Sequence, residues 1–314
     1  MNILVTGGSG FIGAALVHSL CQAGHEVRVF DDNSRGSPGR LAGAEVEFIQ
    51  GDIRHAEAVI QACRGMDAVW HLAYINGTAN FYEQPALVLE VGVKGMVNVL
   101  DGCRFHEVPE LLLMSSSEVY QTPGQVPTPE SVPLVVPDPL NPRFSYGGGK
   151  IISELMAINY GRTGFERVMV LRPHNVYGPD MGFDHVIPQF AARLRELRDQ
   201  PQPIAFPIQG DGRETRAFVY IDDFVAGVNL LQEQGQHLEI YHVGNDVEST
   251  IGEVAELTAQ AMELTVRLEP GPLLAGSTPR RCPDLSKLRG LGYRPQVNLA
   301  EGIQRYVDWF LQCA

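Results

Sequence analysis

The stretch Thr6-Gly7-Gly8-Ser9-Gly10-Phe11-Ile12-Gly13 constrains this chain more than any other, because it joins a β-branched run, Asn2–Thr6, directly to a helical pattern, Phe11–Ala23. Gly7 permits a tight turn, Gly10 lets a pyrophosphate approach the backbone, and Gly13 lets the helix pack close to a sheet. The helix N-terminus at Phe11 and Ile12 then directs amides and dipole at negative charge. Strand, glycine turn and helix together open a βαβ unit.

The first half of the chain repeats that unit. The runs Glu26–Asp31, Glu45–Gln50, Ala68–Ala73, Leu111–Ser115 and Arg167–Arg172 alternate with helical stretches at Ala56–Ala62, Pro85–Phe105 and Tyr146–Gly161. Their continuous apolar character predicts strands buried on both faces of a doubly wound parallel sheet. Beyond Pro173 the prolines at 179, 188, 201, 203 and 207 break the rhythm. We expect a cofactor domain over 1–172 and a smaller C-terminal α/β substrate lobe over 173–314. Arg216–Leu231 is again strand-like and then helical, which leaves open a return of part of 216–245 to the first domain.

Charge excludes one class of partner. Lys+Arg is 24 against Asp+Glu 37, a net charge of −13, which repels a phosphate backbone and argues against nucleic acid. Five separated cysteines without a CxxC pair indicate neither a disulfide framework nor a metal site. The apolar runs are too short to cross a bilayer, and Asn2 leads straight into strand residues instead of a targeting segment. A soluble, cytoplasmic protein is expected.

Asp31 ends the second strand 18 residues after Gly13, where a carboxylate accepts from the adenosine ribose hydroxyls and repels a 2′-phosphate; the pattern favours NAD over NADP. Asp52, in Gly51-Asp52-Ile53, suits the adenine amino group and equally well a helix N-cap. Tyr146 and Lys150 stand four apart on one helix, so the ammonium is expected beside the phenol, lowering its pKa and making it a base. Ser115-Ser116-Ser117-Glu118 ends the fifth strand, and ligands of open α/β sheets bind at the carboxyl ends of strands. Arg213, Arg216, Arg280 and Arg281 suit a diphosphate.

With these motifs the chain resembles the extended short-chain dehydrogenases/reductases, specifically the NAD-dependent nucleotide-sugar epimerases and dehydratases. The resemblance rests on Thr6–Gly13, Asp31, Gly51-Asp52, His71-Leu72-Ala73, Ser115–Tyr120, Tyr146–Lys150, Arg172–Pro179 and Gly210–Arg216. It implies a Rossmann-type fold with Ile53, Leu72 and Ala73 beside the cofactor, and His71 in a structural role. It further implies that Tyr146 removes the proton of the sugar C4 hydroxyl, with Ser116 binding that hydroxyl and Lys150 tuning Tyr146 and holding the nicotinamide ribose. Asn175, Arg216 and Arg281 resemble the diphosphate contacts, and Tyr74, Asn76 and Thr78 are candidates for the hexose. Two positions depart from the family pattern: Gly92 stands where it usually has Asn, and Ala217 where it often has Asp.

Glu118 decides between reactions. In the family's dehydratases the matching glutamate works on C5, whereas simple 4-epimerases usually lack a carboxylate there; Ser117 is not the Asp of dTDP-glucose-type dehydratases, and the order Ser116-Ser117-Glu118 more closely resembles GDP-mannose dehydratases and UDP-glucuronate decarboxylases. In one related 3,5-epimerase type a loop matching Asp184-His185 supplies a second acid/base. A one-way C4 oxidase fits the same residues, whereas a non-catalytic NAD-sensing scaffold is opposed by the presence of Tyr146 and Lys150. A homodimer is expected through Pro85–Phe105 and Tyr146–Gly161, which carry Val88, Val91, Met96 and Val99, and Ile151, Ile152, Leu155 and Met156, on more than one side.

Overall fold

A computed structural model describes residues 1–272 and 278–313. The chain forms two compact units, one of Met1–Gln121, Pro133–Pro173 and Val228–His242, the other of Thr122–Val132, His174–Gly227 and Val243–Ala314.

The first unit is the doubly wound sheet that the apolar runs predict. Its elements are β1 (Asn2–Thr6), α1 (Phe11–Gln22), β2 (Glu26–Asp31), β3 (Val46–Gln50), α2 (Ala56–Ala62), β4 (Ala68–His71), α3 (Thr78–Glu83), α4 (Pro85–Leu89), α5 (Gly95–Phe105), β5 (Glu110–Met114), α6 (Ser145–Gly161) and β6 (Arg167–Pro173). The sheet runs β6-β5-β4-β1-β2-β3, with the strand Glu239–Val243 added at the β6 edge. Neighbours from β3 to β6 pair in parallel, so Thr6, Asp31, His71 and Met114 all lie at carboxyl ends. The order reverses between β1 and β4, the switch point where such sheets bind ligands. Ile3, Leu4 and Val5 are fully buried, as strands covered on both faces must be.

Most element ends lie within a residue of the sequence pattern, and two larger differences have local reasons. The fourth strand ends at His71 instead of Ala73, because the Ala73 amide donates to Thr6 Oγ1 at 3.3 Å and leaves the backbone ladder. Pro85–Phe105 is helical throughout, as the pattern predicts, but a π-helical turn, Glu90–Lys94, joins α4 to α5. An inserted residue of that kind widens a helix locally, and here the widened turn carries Gly92 against the Tyr74 ring.

In the second unit a three-stranded sheet of Glu248–Thr250, Thr215–Ala217 and Arg280–Arg281 stands apart from the parallel pair Ile204–Gln209 and Val266–Gly271. Helix Ile251–Ala261 packs against Val186–Leu197 and Leu299–Gln312. Its start is fixed by a reciprocal cap, Thr250 Oγ1 accepting from the Glu253 amide and Glu253 from the Thr250 amide. Among the described residues no helix is long and apolar enough to cross a membrane.

Candidate active site

The glycine loop forms a cradle that no larger residue would permit. A Cβ at Gly13 would lie 2.1 Å from the Gly7 carbonyl oxygen, and one at Gly7, where φ is +74°, would lie 2.7 Å from the Ala73 nitrogen. Helix α1 begins after Gly10 with no side-chain cap, so the amides of its first turn face outward for an anion. Asp31 accepts from the Ser9 amide at 3.0 Å through one oxygen and from the Asn33 amide at 2.9 Å through the other. The carboxylate that the sequence assigns to ribose thus also ties the glycine loop to β2. This cradle suits a dinucleotide.

Asp52 is held by Arg54, whose guanidinium contacts the carboxylate at 2.5–3.1 Å and keeps its pKa below the ordinary carboxylate range. Asp52 does not cap α2, whose N-cap is His55, but its Oδ1 accepts from the Arg54 amide at 2.8 Å and so caps the turn at Ile53-Arg54. Ile53 is buried, and its carbonyl accepts from Asn98 Nδ2 at 2.8 Å. His71 is buried against Thr6 Oγ1 at 2.7 Å, and burial, aided by the Lys150 charge, lowers its pKa to about 3, as suits a structural neutral imidazole.

Tyr146 and Lys150 share one face of α6, both almost fully buried. Phe81 stacks on the Tyr146 ring at 4.9 Å, and Tyr74 meets it edge-on at 5.1 Å. Ser116 and Arg35 are near enough to the phenol to lower its pKa, and Glu118 is near enough to raise it. Ser116 also caps the short turn Ser117–Tyr120 by accepting from the Glu118 amide at 3.2 Å. Strand β5, its terminal turn and α6 therefore bring Ser116, Glu118 and Tyr146 together.

The electrostatics differ from the sequence expectation. Burial raises the Tyr146 pKa above its usual value and outweighs the lowering by Ser116 and Arg35. Lys150 does not offset this: Nζ donates to the Met114 carbonyl at 2.7 Å and stands 5.8 Å from the Tyr146 ring centroid. Burial lowers its own pKa to about 7, against an upward pull from Glu154. Glu154, one turn further along α6, is itself gripped by Arg172 at 2.9 and 2.6 Å and by Ser115 Oγ. Arg172 also donates to Tyr120, whose hydroxyl meets His242 Nε2 at 2.7 Å. Sequence reading missed this buried network and the stacking of Phe81; the helical spacing of Tyr146, Lys150 and Glu154 was the available signal for the first, and nothing signalled the second.

Of the hexose candidates, Tyr74 turns its hydroxyl into the protein interior, and Asn76 accepts through its own carbonyl from Arg35 and Asn80 and through Oδ1 from the Gly77 amide. Thr78 opens α3. Within the second unit, Arg216 and Arg281 are register partners on adjacent parallel strands. Two cations side by side repel unless an anion joins them. Asn175, at a φ of +41°, donates through Nδ2 to the Ala217 carbonyl at 2.9 Å and so anchors the Arg216 strand. Arg280 pairs with Glu248, Arg213 is exposed, and His185 is the N-cap of helix Val186–Leu197.

Residues 3–244 match the model of the NAD dependent epimerase/dehydratase family. The chain is 32% identical to UDP-glucuronic acid decarboxylase 1 of Arabidopsis thaliana, over 99% of this chain and 70% of the relative. It is equally 32% identical to a dTDP-glucose 4,6-dehydratase of Streptomyces antibioticus, over 99% of this chain and 92% of the relative. The solved Thermus thermophilus UDP-glucose 4-epimerase in complex with NAD superposes with a TM-score of 0.87 at 30% identity, covering all of both chains.

Proposed function

This chain belongs to the NAD-dependent epimerase/dehydratase family, and from that premise we propose that it oxidises C4 of a nucleotide-diphosphate sugar and then moves a second proton beside the new ketone with Glu118. NAD, when bound, accepts hydride from C4 and can return it. The glycine loop would hold its pyrophosphate, Asp31 its adenosine ribose, and Lys150 its nicotinamide ribose. Tyr146 takes the C4 hydroxyl proton, and Ser116, near the phenol, orients that hydroxyl. Because burial opposes the phenolate, Tyr146 needs a nearby cation as the proton leaves, and Arg35 and Lys150 are the two at hand.

The observation that carries the second step is Glu118 beside Ser116 and Tyr146, close enough to act on the phenol. A carboxylate there has no task in plain C4 inversion. Once C4 is a ketone the neighbouring C–H is acidified, and a carboxylate base can remove that proton before water leaves, as in a 4,6-dehydratase. In a decarboxylase the same ketone takes up the electrons as carbon dioxide departs, and Glu118 would orient the sugar. In the second unit Arg216 and Arg281 are the candidate diphosphate ligands, and Asn175 supports them. Incubation with UDP-glucuronate, UDP-glucose, dTDP-glucose and GDP-mannose tests the reading by product mass. Loss of water or carbon dioxide supports it; an isomer formed in deuterated water without deuterium uptake points to a plain 4-epimerase, and loss of two hydrogens to an oxidase.

The homodimer belongs to the same proposal in altered form. Val88, Met96 and Val99 are fully buried within the protomer, so they are removed from the expected interface. Leu89, Ile152 and Leu155 are exposed on α4 and α6, which pack together, and form the apolar face that supports pairing. Light scattering that gives one protomer's mass at micromolar concentration contradicts it.

A further inference from the structure

Tyr74 follows β4 and places its ring under the two groups that matter most on α6. Lys150 Nζ lies 4.0 Å from the Tyr74 ring centroid, closer than to the Tyr146 ring, and the Tyr146 ring sits edge-on at 82°. The Tyr74 hydroxyl is buried and makes no hydrogen bond among the described residues. Polar contact therefore does not explain its position. Shape does: a Cβ at Gly92 would lie 2.1 Å from that hydroxyl, and so would a Cβ at Gly149. Two glycines on separate helical segments thus clear one notch for one ring, and the first of them stands on the π-helical turn, at the position where the family pattern has Asn.

We propose that Tyr74 is a positioning residue for Lys150: keyed into the notch between Gly92 and Gly149, its ring holds the ammonium over its face and the Tyr146 ring against its edge. An ammonium over an aromatic face is stabilised by the ring quadrupole, and the gain is greatest where water is excluded. The other groups facing Lys150 are the Met114 carbonyl from β5, Glu154 from its own helix, His71 from β4 and Tyr146. Of these only Glu154 bears a negative charge, and Arg172 already grips it. The Tyr74 ring is thus the nearest offset to the desolvation of Lys150 on the side away from Glu154. The role rests on reading Lys150 as the partner of Tyr146, yet Tyr74's hold on Lys150 can be read without any substrate, so the two can fail separately.

The test is a titration of Lys150 in the full, NAD-loaded chain. NMR of the chain carrying 13C-labelled lysine, following the Lys150 Cε shift across pH 5–10, is simple here because the chain has only three lysines and Lys94 and Lys287 serve as references. Tyr74→Leu removes the ring face and should move the Lys150 midpoint down by about 0.5–1 pH unit. Tyr74→Phe keeps the face and should leave the midpoint in place. Gly92→Ala fills the notch, leaves Lys150 and Tyr146 unchanged, and should shift the midpoint downward like Tyr74→Leu, with no further shift when the two are combined. If Tyr74→Leu does not fold, Gly92→Ala and Tyr74→Phe carry the test. A midpoint that stays put or rises in Tyr74→Leu or Gly92→Ala overturns the proposal, as does a Tyr74→Phe shift equal to theirs. A purely structural role would lower the melting temperature of these variants without moving the Lys150 midpoint.

Discussion

Gly13→Ala adds one methyl group at the tightest point of the cofactor cradle. The new Cβ would lie 2.1 Å from the Gly7 oxygen and 2.8 Å from Gly8 Cα. A relaxed carbon–oxygen contact is about 3.3 Å at closest, so helix α1 and the loop must part by roughly 1 Å. Neither side yields easily. The Gly7 amide is bonded to the Phe30 carbonyl at 2.9 Å, its carbonyl accepts from Gly10, and its φ of +74° excludes most alternative turns. Overpacking of this kind costs about 1–3 kcal/mol, which should lower the melting temperature by a few degrees. Moving the first-turn amides by that distance breaks at least one charged hydrogen bond to the pyrophosphate, worth about 1.5–3 kcal/mol, so NAD should bind about ten- to a hundredfold more weakly. Calorimetric titration of NAD into stripped protein and a thermal melt measure both effects, with Gly290→Ala as a control because a Cβ there meets nothing within 4 Å. An NAD affinity within twofold of the parent chain, with an unchanged melt, would refute the role given to Gly13.

Asp31→Asn should narrow the preference for NAD over NADP by removing the charge that repels a 2′-phosphate, and calorimetry with both cofactors reads it; an unchanged ratio would remove Asp31 from cofactor selection. His71 gives a pH dependence. Its pKa falls from 6.5 unfolded to about 3 folded, so the unfolded chain binds more protons in that window and stability is lost as pH falls from 6.5 toward 3, by no more than about 5 kcal/mol. His71→Gln should flatten that acid limb in denaturant titrations at successive pH values, and an unaltered limb would show that other groups set it.

The sheet was legible because strands buried on both faces are written as continuous apolar runs, and the glycine loop because a strand, a helix and Asp31 flank it at the right spacing. The placement of Tyr146 and Lys150 on one helix face, and of Ser116 just past the carboxyl end of a strand, was legible from helical spacing and from the end of an apolar run. Their electrostatics were not. The sequence placed the Lys150 ammonium beside the phenol, whereas burial by Phe81 and Tyr74, which arrive from the segment after β4, dominates both groups. Nothing in a local pattern reports how far a distant loop will shield a side chain. The pairing of Arg216 with Arg281 was hidden for another reason, since strands of two or three residues carry no periodicity. The π turn within Pro85–Phe105 carries no sequence signal of its own, because its glycine reads equally well as close helix packing.

The division of labour between Tyr146 and Glu118 is best tested by following bound NAD in Glu118→Gln. Mixed with the nucleotide sugar that the parent chain converts, the variant should still produce the NADH absorbance band, because Tyr146, Ser116 and Lys150 are untouched. That band should then persist while product formation falls by about 10²–10⁴-fold, the usual contribution of a positioned acid/base. A band that decays at the parental rate, with product formed as fast as before, would contradict the account and reduce the chemistry to oxidation at C4 and its reversal.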